Sequence, residues 1–443
     1  MDLPKRRRVL NSFQIIVLGF AGVILLGALL LMLPVSSASG SATPFVNALF
    51  TSTTSVCVTG LVVYDTATYW SGFGHAVILV LIQIGGMGVV TVAASFAMIS
   101  GRKIGLFQRS TMQEAMAAPK MSGIVRLTNF IVRTTILIEL LGAAVMAPVF
   151  CRDFGVGRGL WMALFHSVSA FCNAGIDLMG AREPFSSLTS YVGNPVINIA
   201  VMLLIVIGGI GFLTWDDVRT NRLHLKRYRM QSKVILCTTA VLIVLPALYF
   251  YFCEFADFAP GKRVLASLFQ SVTPRTAGFN TVDLAAMSEP GQALTILLML
   301  IGGSPGSTAG GMKTTTVAVL AVCAVAVFRR RGNPEVSGRS IALETVANAA
   351  TILLMYAALC FTGGMVISCV EQLPMLTCLY ESASAIGTVG LSLGITPSLK
   401  TISKAVLIVL MFFGRVGGLT LIYAAMSRTV QSGKLPQEKI TVG

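Results

Sequence analysis

The sequence predicts an all-α polytopic membrane protein in which four repeats of a helix, a re-entrant loop and a second helix surround a pseudo-fourfold axis. Three observations predict this fold class. The 443 residues are 55% hydrophobic and only 12% charged, whereas about 25% of the residues of a soluble domain are charged. Apolar stretches long enough to cross a ~30 Å hydrocarbon core recur along the chain. Between them lie four short segments that share one motif.

The apolar stretches predict eight membrane-spanning helices, two for each repeat. The first stretch, 13–33, is longer than the apolar region of a signal peptide and is expected to remain as a helix. The predicted divisions are a cytoplasmic N-terminus at 1–12, repeat 1 at 13–101, repeat 2 at 124–217, repeat 3 at 232–328, repeat 4 at 344–427 and a cytoplasmic C-terminus at 428–443.

The net charge of +15 is concentrated directly beside the apolar stretches. Basic blocks begin at Lys5, Arg102, Arg222 and Arg329, which places them in every second segment between spans. The positive-inside rule therefore predicts a multi-pass protein of the cell membrane with both termini in the cytoplasm. This distribution indicates a lipid bilayer as the partner of the basic residues, and no nucleic acid.

The shared motif has six positions: first Leu, then Phe or Tyr, then any residue, then Ser, then any residue, and last Ser or Thr. It begins at Leu49, Leu164, Leu268 and Leu379. The apolar part of each segment has only about ten to fourteen residues, too few to cross the bilayer, so each is interpreted as a re-entrant half-helix that enters a pore loop. Such backbone is tolerated at membrane depth when it is buried in protein or lines a watery path.

A glycine follows the aromatic residue of each motif by nine or ten positions. Its conformational freedom lets the chain leave the half-helix with its carbonyl groups turned inward, where a dehydrated cation can replace the missing hydrogen-bond partner. Four such loops around one axis predict an oxygen-lined filter. The predicted filter residues are Val58, Thr59, Gly60, Asn173, Ala174, Gly175, Thr276, Ala277, Gly278, Thr388, Val389 and Gly390.

The second helix of repeat 3 contains a run of helix-breaking residues. From Gly291 to Phe328 it would measure roughly 57 Å as one straight helix, which is too long for one span. We therefore expect it to unwind and form a mobile intramembrane gate. The predicted gate residues are Gly302, Gly303, Ser304, Gly306, Ser307, Thr308, Gly310, Gly311, Lys313 and Arg415.

Arg415 stands in repeat 4 where the other repeats have the second glycine of an Ile-Gly-Gly sequence: Gly86, Gly209 and Gly303. A membrane-depth arginine needs a cavity or a partner, so it either faces the pore or binds carbonyl groups of neighbouring helices. The glycines themselves fit close helix packing equally well.

Other charged residues have weaker interpretations. The carboxylates Asp65, Asp177 and Asp283 follow the filter glycines and either concentrate cations or are ordinary loop charges. Glu139, Arg275 and Glu381 are interpreted as structural ties. Too few intramembrane carboxylates cluster for a membrane enzyme. The cysteines and histidines lack metal-ligand spacing, and we expect no cofactor in this chain, K⁺ at the filter being the one metal ion.

The fourfold plan resembles the Trk/Ktr/HKT superfamily of K⁺ transporters, most closely its Ktr-type bacterial pore-forming subunits. The motifs that carry the resemblance are Thr59-Gly60-Leu61, Asn173-Ala174-Gly175, Thr273 to Asn280 and Gly387 to Leu391. The resemblance implies K⁺ uptake, with K⁺ favoured because all four filter glycines are present, and a gate formed by the repeat-3 break and Arg415. It also implies a homodimer, a separate cytoplasmic regulatory ring of the nucleotide-binding RCK/KTN type, and stimulation by Na⁺.

An ion-coupled Na⁺/K⁺ secondary transporter is the alternative. Such transporters are typically built from inverted repeats with broken helices at the midplane. The repeats in this chain are parallel, which favours a fixed axial pore.

Overall fold

The computed structural model describes residues 11–100, 104–118, 120–222, 224–330 and 333–425. The predicted termini at 1–12 and 428–443 therefore lie almost wholly outside the described residues, as do the basic residues Lys5 to Arg8, Arg102, Lys103 and Arg331. The described part is almost entirely helical, with one short β-hairpin on the connection between repeats 3 and 4.

Each repeat contains an outer helix, a half-helix that ends near the axis, and an inner helix made of two pieces. Repeat 1 comprises α1 (Ser12–Met32), α2 (Phe45–Val56), the short α3 (Thr66–Tyr69), α4 (Gly72–Met87) and α5 (Val89–Ile99), and is followed by α6 (Leu106–Ala115). Repeat 2 comprises α7 (Ile124–Phe154), α8 (Val156–Phe171), α9 (Pro195–Gly209) and α10 (Phe212–Asn221).

Repeats 3 and 4 follow the same order. Repeat 3 comprises α11 (Met230–Tyr249), continued by a π-helical turn (Phe250–Glu254), then α12 (Pro260–Val272), α13 (Glu289–Leu300) and α14 (Thr314–Phe328). Strands β1 (Glu335–Val336) and β2 (Arg339–Ser340) pair antiparallel. Repeat 4 comprises α15 (Leu343–Glu371), α16 (Met375–Ile386), α17 (Thr401–Val416) and α18 (Gly418–Ala425). Short 3₁₀ turns occur at Pro34–Ser36, Met179–Ala181, Thr189–Tyr191, Leu225–Arg227 and Thr396–Ser398.

The outer helices are long and apolar enough to cross a membrane. Among the described residues, α1, α7, α11 with its π-helical turn, and α15 satisfy this criterion alone, and the pairs α4 with α5 and α9 with α10 satisfy it as bent spans. Helix α1 is apolar on both of its sides. Leu25, Leu26 and Leu29 are exposed on the side that lipid would cover, while Ile24 and Leu31 are buried against the protein. A helix that is apolar on every side is typical of a membrane span.

The inner helices depart from the expectation of continuous spans, because every one of them is interrupted and not only that of repeat 3. Helices α4 and α5 meet at 96°, and α9 and α10 at 97°. The residues at the breaks between the paired helices are Gly88, Gly211 and Gly417, with φ values of +87°, +91° and +88°. These dihedrals belong to the left-handed side of the Ramachandran plot, which side chains penalise. In repeats 1, 2 and 4 the last glycine of the Ile-Gly-Gly-like sequence therefore lies at the break of the inner helix, and we call these three residues the hinge glycines.

The first glycine of the same sequences allows close packing between helices. A Cβ atom added to Gly85, Gly208 or Gly414 would overlap the last carbonyl groups of the half-helix in the same repeat, those of Val56, Phe171 and Ile386. The inner helix can thus touch the backbone at the end of its half-helix only because no side chain intervenes.

Contacts between repeats close the assembly into a ring. The inner helix of each repeat packs against the half-helix of the following one: α4 on α8, α9 on α12, α13 on α16, and α17 on α2. The half-helices are thereby held between an outer and an inner helix with their carboxyl ends toward one axis. This architecture confirms the predicted fold class.

Candidate functional site

The four predicted filter segments share one backbone conformation. We call them the glycine triplets: residues 58–60, 173–175, 276–278 and 388–390. The first residue of each triplet has a positive φ, between +50° and +66°, and so does the glycine, between +64° and +97°. The middle residue of each does not have a positive φ. Non-glycine residues seldom adopt positive φ, so its recurrence at four equivalent first positions marks a site that the surrounding fold enforces.

The four glycines of the triplets form a closed ring. A Cβ atom added to Gly60 would lie 2.6 Å from the carbonyl oxygen of Ala174, and one on Gly175 would lie 2.7 Å from the Cα of Gly278. In the same way, a Cβ on Gly278 would lie 3.3 Å from the Cα of Gly390, and one on Gly390 would lie 2.8 Å from the Cα of Gly60. The triplets therefore follow one another around the axis in chain order.

Each glycine also lies against the carbonyl oxygen of the middle residue of the next triplet. The oxygens concerned belong to Ala174, Ala277, Val389 and Thr59. A ring of converging carbonyl oxygens can replace the hydration shell of a monovalent cation. The half-helices α2, α8, α12 and α16 end two or more residues before their triplets, so the negative ends of their dipoles also face this ring.

The last hydroxyl of each repeated motif fixes the backbone beside the triplet glycine. In repeats 1 and 4 it accepts a hydrogen bond from the glycine N–H, over 2.9 Å from Gly60 to Thr54 and over 3.0 Å from Gly390 to Ser384. In repeats 2 and 3 the hydroxyl instead donates to the carbonyl after the glycine. These pairs are Ser169 with Ile176 and Thr273 with Phe279. The sequence motif marks these segments but does not indicate this role of its last hydroxyl.

The invariant serine of the motif ties the half-helix to the outer helix. It donates to a carbonyl group of that helix in three repeats, in the pairs Ser52 with Ile24 (2.6 Å), Ser167 with Glu139 (2.6 Å) and Ser382 with Cys360 (2.7 Å). In these three repeats a glycine one turn further along the outer helix makes room for the hydroxyl: Gly27, Gly142 and Gly363. Helix α11 contains no glycine, and Ser271 of repeat 3 donates to Leu268 of its own helix instead.

The charged residues interpreted as ties differ in how well they are bonded. Glu381 accepts hydrogen bonds from the hydroxyls of Ser392 and Thr396, just beyond the repeat-4 triplet. Glu139 accepts one from the Gln83 amide over 3.2 Å. Arg275 is 5% exposed, and its one side-chain hydrogen bond within the described residues goes to Thr239 over 3.3 Å.

An acidic vestibule lies on one side of the ring. A cavity of about 580 Å³ is lined by all four triplet glycines and by Asp65, Asp177 and Asp283. Burial raises the pKa of Asp177 to about 6, and the negative charge of Asp65 acts in the same direction, against a hydrogen bond from the Met179 N–H. The predicted carboxylates are thus brought together at the mouth of the ring, where they attract cations.

The unwound segment, residues 301–313 between α13 and α14, lies on the opposite side of the ring. Its non-helical conformation confirms the predicted break. Thr308 donates to the carbonyl of Phe171 over 3.1 Å and to the Asn173 side chain over 3.2 Å. A Cβ added to Gly310 would overlap the Thr388 side chain. The segment therefore touches the triplets of repeats 2 and 4 directly.

Backbone hydrogen bonds fasten the unwound segment to two inner helices. Ser304 N–H donates to Gly209 over 2.9 Å, and Phe212 N–H donates to Gly306 over 2.7 Å. Gly311 N–H donates to Gly414 over 3.1 Å. Within the segment, the Lys313 ammonium donates to the carbonyls of Ala309 (2.8 Å) and Gly310 (3.3 Å).

Arg415 links the unwound segment to repeat 1. Its guanidinium donates to the carbonyl of Thr308 in the unwound segment and to those of Gly85 and Gly86 at the end of α4. These contacts match the interpretation in which Arg415 binds carbonyl groups of neighbouring helices, the alternative to an arginine that faces the pore. One of the bonded carbonyls nevertheless belongs to the predicted gate.

The fold and the site together define a membrane transport protein of four pore-loop repeats around one axis. A family model described as TrkH, cation transport protein, matches residues 3–439. The chain belongs to this family, which confirms the predicted family and the prediction of a transporter instead of an enzyme.

Relatives with assigned names match the chain over nearly its whole length. It is 38% identical to the potassium/sodium uptake protein NtpJ of Enterococcus hirae, over 100% of both chains. It is also 38% identical to the Ktr system potassium uptake protein B of Bacillus subtilis, over 97% of this chain and 96% of the relative. The crystal structure of the potassium transporter TrkH from Vibrio parahaemolyticus shares its fold, with a TM-score of 0.72, 20% identity, and coverage of 96% and 87% of the two chains.

Proposed function

We propose that this protein takes up K⁺ across the cytoplasmic membrane through the ring of glycine triplets. The observation that carries the proposal is the closed ring of four glycines with a carbonyl oxygen of the next triplet beside each of them. The names of two relatives, both potassium uptake proteins, support K⁺ as the transported ion. Both termini face the cytoplasm in this proposal, as the basic segments indicate.

The unwound segment and Arg415 form the gate in this proposal. The segment lies directly under the triplets, and its contacts with Asn173 and Thr388 leave little room between it and the ring. Since the bonds from Arg415 hold the segment against the end of α4, opening requires that these bonds break or rearrange. Glycine-rich backbone is suited to such a change because it adopts several conformations at low cost.

We further propose that the chain acts as a homodimer on a cytoplasmic ring of nucleotide-binding regulatory subunits of the RCK/KTN type. The support is the family resemblance and a relative named as a protein of a Ktr system. Stimulation by Na⁺ belongs to the same proposal, and the relative named for both potassium and sodium is consistent with it.

The test is ⁸⁶Rb⁺ uptake into proteoliposomes with K⁺ or Na⁺ as competitor, comparing the wild type with Gly60→Ser. Gly394→Ser is a matched control. Gly394 also lines the vestibule and has a φ of +90°, close to the +97° of Gly60, but no described atom lies within 4 Å of its added Cβ. Both substitutions therefore put a side chain at a similar positive φ, but only Gly60→Ser puts it against the ring.

We expect K⁺ to displace ⁸⁶Rb⁺ far better than Na⁺ in the wild type and in Gly394→Ser, and the preference to weaken in Gly60→Ser. Equal competition by both ions in the wild type would refute K⁺ selectivity, and equal effects of the two substitutions would refute the ring as its source. Uptake that requires an imposed Na⁺ gradient would replace the pore with an ion-coupled mechanism. For purified protein, the unfolding temperatures in K⁺ and in Na⁺ can be compared in the same way, because the ion that binds more tightly stabilises the folded state more.

A further inference from the structure

A basic cavity that shares no lining residue with the vestibule or the ring lies between the beginning of α7 and the helix α10. Its volume is about 610 Å³, and Lys120, Arg126, Arg219 and Arg229 line it together with one carboxylate, Asp216. The proposed function uses none of these residues.

The charges of the cavity are unbalanced. Arg229 binds Asp216 over 2.8 Å and Asp217 over 3.4 Å, so the lining carboxylate is already neutralised. Within the described part of the chain, Lys120, Arg126 and Arg219 have no carboxylate within 4.0 Å. Three positive charges therefore face one cavity, which favours an anionic ligand.

Two further features suit the cavity to a phosphate group. The guanidinium of Arg219 lies 4.7 Å from the centre of the Phe130 ring, an arrangement that holds it in place at the cavity wall. Helix α7 begins in the cavity after Gly123, which has no side chain to cap the first N–H groups. The Ile124 N–H donates to the Met121 carbonyl, but the N–H groups of Val125 and Arg126 have no acceptor among the described residues. At the positive end of the helix they add to the attraction for an anion.

The position of the cavity favours a lipid over a free ion. The 31 residues of α7 measure roughly 46 Å, against a hydrocarbon thickness of ~30 Å, so its first turns extend into the headgroup region. Leu127 and Phe130, which lie further along the chain in α7 than Lys120 and Arg126, also line the cavity. In the proposed orientation this is the cytoplasmic leaflet, where anionic lipids and basic pockets between helices meet.

We infer that this cavity binds the phosphate headgroup of an anionic phospholipid, with Arg126 and Arg219 as the principal ligands. The test measures binding of phosphatidylglycerol, phosphatidylcholine and inorganic phosphate to the purified full-length chain by native mass spectrometry and by thermal unfolding. The cavity variant is Arg126→Gln with Arg219→Gln. The control is Lys226→Gln with Arg227→Gln, which removes the same charge from exposed residues outside the cavity, in the segment between α10 and α11.

Wild type and control should retain phosphatidylglycerol in preference to phosphatidylcholine, and the cavity variant should bind it about 30-fold more weakly. Ser122→Glu should also weaken binding, because it adds a negative charge at an exposed position of the rim without removing an arginine. This variant replaces the double variant as the test if the double variant does not fold. The inference fails if both lipids bind equally, if the control loses as much affinity as the cavity variant, or if inorganic phosphate binds as well as the lipid.

Discussion

Replacing Thr54 by valine tests whether the motif hydroxyl maintains the ring. The Thr54 hydroxyl accepts the N–H of Gly60 over 2.9 Å, and both residues are buried. Valine keeps the shape of the side chain and the backbone bond from Thr59 N–H to the Thr54 carbonyl, so only the side-chain bond is lost. The Gly60 N–H is then left without an acceptor at the ring.

The cost of a buried N–H group without a partner is about 1–3 kcal/mol. If all of this free energy distorted the ion site, the preference for K⁺ over Na⁺ would fall by about 5- to 150-fold, since 1.4 kcal/mol is a factor of ten. We expect a fall within this range in ⁸⁶Rb⁺ competition, together with a lower unfolding temperature in K⁺.

The neighbouring residue provides the control. Thr53 is also buried, but its hydroxyl donates to the Leu49 carbonyl of the same helix over 2.7 Å. Thr53→Val therefore removes one hydroxyl and one bond without freeing a group at the ring, and should leave ion preference unchanged. If Thr54→Val keeps the wild-type preference, or if Thr53→Val loses it equally, the hydroxyl does not maintain the ring.

Three further predictions follow from the vestibule, the gate and the hinges. Arg415→Gln should raise ⁸⁶Rb⁺ flux about tenfold or more, because each hydrogen bond from a charged group contributes about 1.5–3 kcal/mol; loss of folded protein without a gain in flux would instead support a packing role. Because the pKa of Asp177 is raised to about 6, its carboxylate is charged at pH 7 and becomes neutral as the external pH falls through 6. Uptake should therefore decline over that interval, and Asp177→Asn should be lower at pH 7 and lack the decline. Gly211→Ala should lower the unfolding temperature, because its φ of +91° and ψ of 143° cost a side chain about 1–3 kcal/mol and an added Cβ would also lie 2.7 Å from the Pro305 carbonyl oxygen; Gly22→Ala, whose added Cβ meets no described atom within 4 Å, should not.

Local features of the fold could be predicted because they repeat. The glycines of the triplets stand at nearly constant spacing after a motif that occurs four times, and repetition separates them from the other glycines of the chain. The break before Thr314 could be predicted from its composition, since glycine and proline occur together in a stretch too long for one span.

The hinges and the long-range contacts could not be predicted in the same way. In a sequence such as Gly85-Gly86-Met87-Gly88, the packing glycine and the hinge glycine look alike, and only the dihedral angles distinguish them. Likewise, nothing local indicates that Arg415 reaches Gly86, which is 329 positions away in the chain. Such a contact depends on the ring order of the repeats, and the sequence motif does not specify distances across the axis.

The hinge in repeat 1 and the arginine in repeat 4 depend on each other. Because α4 ends at Met87, its last carbonyl groups lack the N–H donors that a continuous helix would supply, and they form the negative end of the helix dipole. Arg415 donates to the carbonyls of Gly85 and Gly86. The Gly85 carbonyl also accepts the Gly88 N–H over 3.1 Å, whereas the Gly86 carbonyl has no backbone donor among the described residues. The arginine thus supplies a donor to Gly86, and the two carbonyls are partners for its membrane-depth charge. The same guanidinium donates to the carbonyl of Thr308 in the unwound segment. A change of the bend at Gly88 would move the end of α4 relative to this segment, and the arginine could then not keep its bonds to both. In the proposed gate, bending of this inner helix and release of the unwound segment would thus be coupled through one side chain.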